Sequence, residues 1–266
     1  MGSLVSRGVG SSRRVIWCDT EGGIRGIPLY DVTFIDEAEG EAPQVVRMFN
    51  VSIACKSGRA KIRKHVPMAV YAASAKNGTT YVCKHEYDPS GRIGEGTYSA
   101  YGGSLDGVVK RYLEHRRGSV LCAWNMRAHD KKVLTAAVGG DTLDGMVLWD
   151  ALPWFKKRYS LPKNTLSSDK PGTPRNVLGV LRQGIVHTSL ADAAHLREVV
   201  LRAAYCLRNG ADTKASSGRP VADMFPVARE IISEEVDIEQ WIPVSATAWS
   251  GEVPASVFKD NATSKE

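Results

Sequence analysis

The sequence predicts a three-layer α/β fold built on a mixed sheet of five strands, with a partly helical C-terminal extension. Three observations carry this expectation. Strand-forming runs at 14–20, 28–35 and 44–52 follow one another through short connections, as in an antiparallel meander. From residue 119 onward, short apolar runs alternate with helical ones, which implies parallel pairing through right-handed crossovers. The chain has 266 residues, 43% of them hydrophobic and 24% charged, enough apolar material for one domain and an extension. Residues 1–13 read as a flexible arm, 14–206 as the domain, and 207–266 as the extension, helical over about 221–240.

Taken in order, the first strand runs into a Gly-rich bend (Gly22, Gly23, Gly26), and an acidic turn from Asp36 to Glu41 separates the second from the third. Residues 56–105 carry a basic segment (Arg59, Lys61, Arg63, Lys64), a strand around Thr80 to Lys84 and a Gly/Ser/Tyr-rich loop over 89–104. That length exceeds an ordinary connection and reads as a lid, an insertion or a substrate-binding feature. Leu105, Val108, Val109 and Leu113 share one face of a helix over 104–116. A buried strand at Ser119–Asn125 then precedes a helix from Asp130 to Val138, closed by Gly139-Gly140. Met146 to Trp149 forms a strand, 151–159 a helix, 160–174 a linker and 175–183 a short helix. The segment 186–192 opens a long helix reaching Cys206.

Lys and Arg outnumber Asp and Glu 35 to 29, a net charge of +6 that favours a polyanionic partner. The five cysteines are far apart and form no C-x-x-C pair, which fits a reducing compartment and no structural zinc. No apolar run is long enough to span a bilayer and no secretion signal opens the chain, so the expectation is an intracellular protein, cytoplasmic or nuclear. The opening Met-Gly-Ser-Leu-Val-Ser fits an N-myristoylation pattern at Gly2, and a plain N-terminal arm fits equally. Phosphate-loop, nucleophile-elbow and H-E-x-x-H signatures are absent from the sequence.

The chemistry concentrates in Val15-Ile-Trp-Cys-Asp-Thr-Glu-Gly22. A period-two backbone puts Asp19 and Glu21 on one face of the first strand. Two carboxylates so close repel each other, make a poor core and suit a hard divalent cation. Asp130 opens a helix after a strand, at the rim of the sheet. His187 precedes the last long helix and Asp192 lies in its first turn, so both can face one point. Each has a bland alternative: helix-dipole stabilisation for Asp130, a structural role for His187. All of them together, at strand and helix ends, point to a metal-dependent nuclease.

The ordered set Asp19-x-Glu21, Asn125 with Asp130, and His187-x-x-x-x-Asp192 resembles the DEDDh 3′-to-5′ exonucleases. That ribonuclease-H-like family includes the polymerase III epsilon proofreading subunit, ribonuclease T, oligoribonuclease and TREX. The string His187-Thr-Ser-Leu-Ala-Asp-Ala193 and the Leu148-Trp-Asp150 strand with its helix are similar too, over roughly residues 14–206. The resemblance implies that Asp19, Glu21, Asp130 and Asp192 hold two Mg²⁺ or Mn²⁺ ions, with Asp19 touching both, and that His187 is the general base. It implies single-stranded DNA or RNA 3′ ends as substrate and nucleoside 5′-monophosphates as product. Thr20, Ile24 and Asn125 are then expected to touch substrate, Ile24 as a wedge. Trp124, His129 and Gly22-Gly23-Ile24 depart from the family pattern without removing a ligand. The rival expectation is a weakly active or inactive module of the same fold, acting as a scaffold through 56–105 or the tail.

Overall fold

The computed structural model describes residues 14–22, 26–38, 41–56, 62, 66–87, 92–158, 165–166, 173–178, 180, 184 and 187–209. The expected arm with Gly2, the wedge candidate Ile24, the basic residues Arg59, Lys61, Arg63 and Lys64, and the extension beyond 209 lie outside the described residues. The strands are β1 (Arg14–Glu21), β2 (Asp31–Ala38), β3 (Gln44–Asn50), β4 (Thr80–Tyr87), β5 (Ile93–Tyr101), β6 (Val120–Ala123) and β7 (Val147–Asp150). They form one mixed sheet in the order β5-β4-β3-β2-β1-β6-β7. Pairing is antiparallel from β1 out to β5 and parallel from β1 through β6 to β7.

Seven strands replace the expected five, and the difference lies in the stretch read as an insertion. Helices α1 (Val51–Lys56) and α2 (Met68–Asn77) lead into a β4–β5 hairpin that widens the sheet. The loop expected over 89–104 is largely β5. Gly96 serves packing: a Cβ there would sit 2.2 Å from Cys83 Sγ and 2.7 Å from His85 Cε1. The third strand also stops sooner than expected. Asn50 Oδ1 accepts from the backbone N–H of Ser52 at 3.1 Å and of Ile53 at 3.4 Å, which caps α1 and ends β3.

Helices cover both faces of the sheet, and the alternation of β1 decides which core each residue enters. Val15 and Trp17 join a core that includes Trp154 and Phe155 of α6 (Ala151–Arg158) and Leu196, Val199 and Val200 of α8 (Ser189–Asn209). Ile16 and Cys18 face the opposite core, built with α3 (Leu105–Glu114), α4 (Asp130–Val138) and α5 (Gly140–Asp144). The short α7 spans Pro174–Val177, less than the expected 175–183, of which 179 and 181–183 lie outside the described residues.

The long helix α8 is held by charge as well as by apolar area. Arg197, fully buried, pairs with Glu37 of β2 and with its neighbour Glu198, while Trp17 Nε1 donates to the other Glu37 oxygen at 2.9 Å. Removing one partner of such a buried pair costs about 3–5 kcal/mol. The contact ties α8 to β1 and β2, the strands that carry the acidic residues.

Candidate metal centre

The apolar alternation of β1 continues into its polar end. Asp19 and Glu21 extend the Val15–Trp17 face towards α8, and Thr20 extends the Ile16–Cys18 face towards α4. Each then meets an acidic residue from its own layer.

On the α8 side, Asp19, Glu21 and Asp192 each offer a carboxylate oxygen, and these oxygens all lie within 4.8 Å of one another. The helix that carries Asp192 begins under a hydroxyl cap, since Thr188 Oγ1 accepts from the Ala191 N–H at 3.3 Å. Burial raises the Asp19 carboxyl well above its ordinary range, and Asp192, Asp130, Glu21 and Asp31 push it further in the same direction. Tyr30 donates its hydroxyl to Glu21 Oε2 at 3.3 Å, a modest compensation for that crowding. An all-oxygen donor set under mutual repulsion fits a hard divalent cation, which would remove the repulsion.

On the α4 side, Asp130 is buried at 1% exposure and its Oδ1 accepts from the Thr20 backbone N–H at 3.1 Å and the Thr20 hydroxyl at 2.8 Å. Burial pushes its carboxyl up to about 6, against the pull of those two bonds and of the neighbouring His129. Asp130 therefore stands beside the other three acids, close enough to act on Asp19, and outside their tight group. Thr20 is buried with both donors committed to Asp130, so it positions that carboxylate. His129 Nε2 lies 3.3 Å from the Thr20 carbonyl oxygen and closes the same contact from the residue before the helix.

His187 is exposed, and its backbone N–H donates to Asp192 Oδ1 at 3.4 Å. Among the described residues, the non-glycine positions with positive φ are Asn125 at 70° and His187 at 64°. Such conformations persist where the surroundings over-determine them, and they gather at functional sites. Both flank the acidic cluster in the chain's layout, one before α4 and one before α8. Asn125 does not act alone: its N–H donates to Asp150 Oδ1 at 3.1 Å, and the Arg127 N–H donates to Asp150 Oδ2 at 3.0 Å. Asp150 Oδ1 also accepts from the Leu152 N–H at 3.2 Å, so one side chain caps α6 and shapes the turn that delivers Asp130.

Sequence reasoning missed Asp150 in that role, although an Asp just ahead of Ala151-Leu-Pro153 is a helix-start signal. It missed Asp31, Thr33 and Ser189 as well. A signal existed in the Asp31-x-Thr33 alternation on the strand beside Asp19 and Glu21.

Compared with known proteins, the chain matches no family model, no curated protein and no solved structure. Among the described residues, no helix is long and apolar enough to cross a membrane.

Proposed function

We propose that the chain is a metal-dependent 3′-to-5′ exonuclease of the DEDDh type, acting on single-stranded DNA or RNA ends. The observation that carries this reading is the meeting of Asp19 and Glu21 with Asp192 within 4.8 Å, from near opposite ends of the described chain. Asp130, held by Thr20 one layer away, supports it as the remaining carboxylate. The run of five consecutive strands β3-β2-β1-β6-β7 supports a ribonuclease-H-like plan, with β4 and β5 as an addition at one edge. A net charge of +6 suits a polyanionic substrate.

In this reading Asp19, Glu21, Asp130 and Asp192 would hold two Mg²⁺ or Mn²⁺ ions, which would supply Lewis-acid chemistry to phosphodiester hydrolysis. Asp19, grouped with Glu21 and Asp192, would be a ligand to both. His187, whose backbone is tied to Asp192, takes the proton of the attacking water on a ring nitrogen. The leaving 3′-oxygen is reprotonated from solvent, and a nucleoside 5′-monophosphate departs. The bend at Gly22 is confined to glycine: a Cβ there would lie 2.6 Å from the Pro28 carbonyl oxygen, at φ 146°.

The deciding experiment is digestion of 5′-labelled single-stranded RNA and DNA of matched sequence with Mg²⁺, Mn²⁺ or EDTA, beside Asp19→Asn. The expected result is a metal-dependent ladder shortening from the 3′ end and absent in the variant. Intact strands under every condition, or equal cleavage by Asp19→Asn, overturn the reading.

A further inference from the structure

We infer that Ser189, Thr33 and Asp31, braced by Arg47, are positioning residues that set Asp192 against Asp19 and Glu21 and thereby fix the affinity of the centre for a divalent cation. The inference rests on reading those three carboxylates as cation ligands. Ser189 Oγ lies 2.8 Å from Asp31 Oδ1 and 2.8 Å from Thr33 Oγ1. An ionised carboxylate only accepts, so Ser189 donates to Asp31 and the Thr33 hydroxyl donates to Ser189. Arg47 completes the chain as a fork, with Nε 2.9 Å from Asp31 Oδ1 and Nη2 2.8 Å from Oδ2. All four residues are buried, none above 2% exposure.

The register gives this chain its meaning. Thr33 pairs with Asp19 across the β1–β2 ladder, and Asp31 pairs with Glu21. The two strand residues that grip Ser189 are therefore the lateral neighbours of the two strand acids. Ser189 sits one helical turn before Asp192 on the same side of α8. Apolar contacts could hold the helix against the sheet, but they are non-directional and leave its rotation loosely set. Hydrogen bonds to fixed points on β2 set both rotation and depth, and a buried ion pair that adds little net stability is well suited to that task.

The test is a calorimetric Mn²⁺ titration of the full chain as wild type, Ser189→Ala, Thr33→Val and Thr33→Ser, with melting of each in EDTA. Loss of a neighbouring support typically lowers metal affinity about 10- to 100-fold. That loss is expected for Ser189→Ala and for the nearly isosteric Thr33→Val, with EDTA melting points within about 2–4 °C of wild type. Thr33→Ser, which keeps the hydroxyl, is expected to bind as wild type does. Wild-type affinity in both Ser189→Ala and Thr33→Val overturns the inference while leaving the cation site in place. Equal losses in Thr33→Ser and Thr33→Val overturn it too, because packing and not the hydroxyl would then be responsible. A wild type whose Mn²⁺ uptake is absent, or is undiminished by Asp19→Asn, removes the underlying reading along with it.

Discussion

Thr20 gives both its backbone N–H and its hydroxyl to a single oxygen of Asp130, at 3.1 and 2.8 Å. The two bonds favour the ionised form of a carboxyl that burial lifts to about 6. Thr20→Val keeps the shape of the side chain and deletes one of them. The expected outcome is a further rise of the Asp130 carboxyl, so that the acid limb of the activity–pH profile moves to higher pH, with a stability loss of about 1 kcal/mol. Paired pH–rate profiles check this, and an unmoved acid limb contradicts it.

Crowded carboxyls make the metal-free protein sensitive to alkali. Burial raises Asp19, with Asp192 and Asp130 adding to it, and burial raises Asp130 from 3.8 to about 6. Between those values the folded chain binds more protons than the unfolded one, so these groups contribute stability at low pH that is lost as the pH rises. Asp19→Asn is therefore expected to melt above wild type in EDTA near pH 7, with the gap shrinking towards pH 4. Calorimetric scans across that range measure it, and a gap that widens on acidification is the opposing result.

Adding cation should reverse the order of those two proteins. Binding at about 100 times the dissociation constant stabilises by about 2.7 kcal/mol, which is on the order of 5–10 °C for a domain of this size. Wild type is expected to gain that shift with Mn²⁺ and Asp19→Asn to gain little. Thermal scans with and without Mn²⁺ compare them, and equal shifts in both proteins speak against binding at Asp19.

His187 holds φ at 64°, a conformation that glycine adopts without penalty. His187→Gly removes the imidazole while relaxing the backbone, which makes it a cleaner variant than His187→Ala. Melting should be equal to or above wild type and Mn²⁺ affinity near wild type, while turnover falls about 10²- to 10⁴-fold. Retention of turnover would assign the proton transfer elsewhere.

Asp150 serves three backbone donors, those of Asn125, Arg127 and Leu152. Asp150→Ala should cost about 1–3 kcal/mol and depress activity through the loosened turn before Asp130. Asp150→Asn keeps one acceptor oxygen and should fall between the two. Urea melts and activity assays on the three proteins give the ranking.

Spacing along the chain made the strand acids and the His187–Asp192 pair readable, because period two and the helical turn act within a few residues. The same alternation explains why Asp130 stands apart: Thr20 faces the α4 layer while its neighbours face α8. Local pattern could not find the Ser189–Asp31 bond, whose partners are 158 residues apart. Nor could it find β5, an edge strand with no fully buried residue, where alternation fades and Gly94 and Gly96 look like loop. Gly96 answers to Cys83 and His85 on the neighbouring strand, and only the paired hairpin makes that visible. Asn50 ended the third strand early through a cap that a β-branched run concealed.

The helix α8 brings in Asp192 after every strand of the sheet has already been laid down. On a ribosome the amino-terminal acids emerge early, and Asp192 joins them only when α8 leaves the exit tunnel and docks on β1 and β2. A cation held by Asp19, Glu21 and Asp192 would thus find its full set of carboxylates only once the fold has closed.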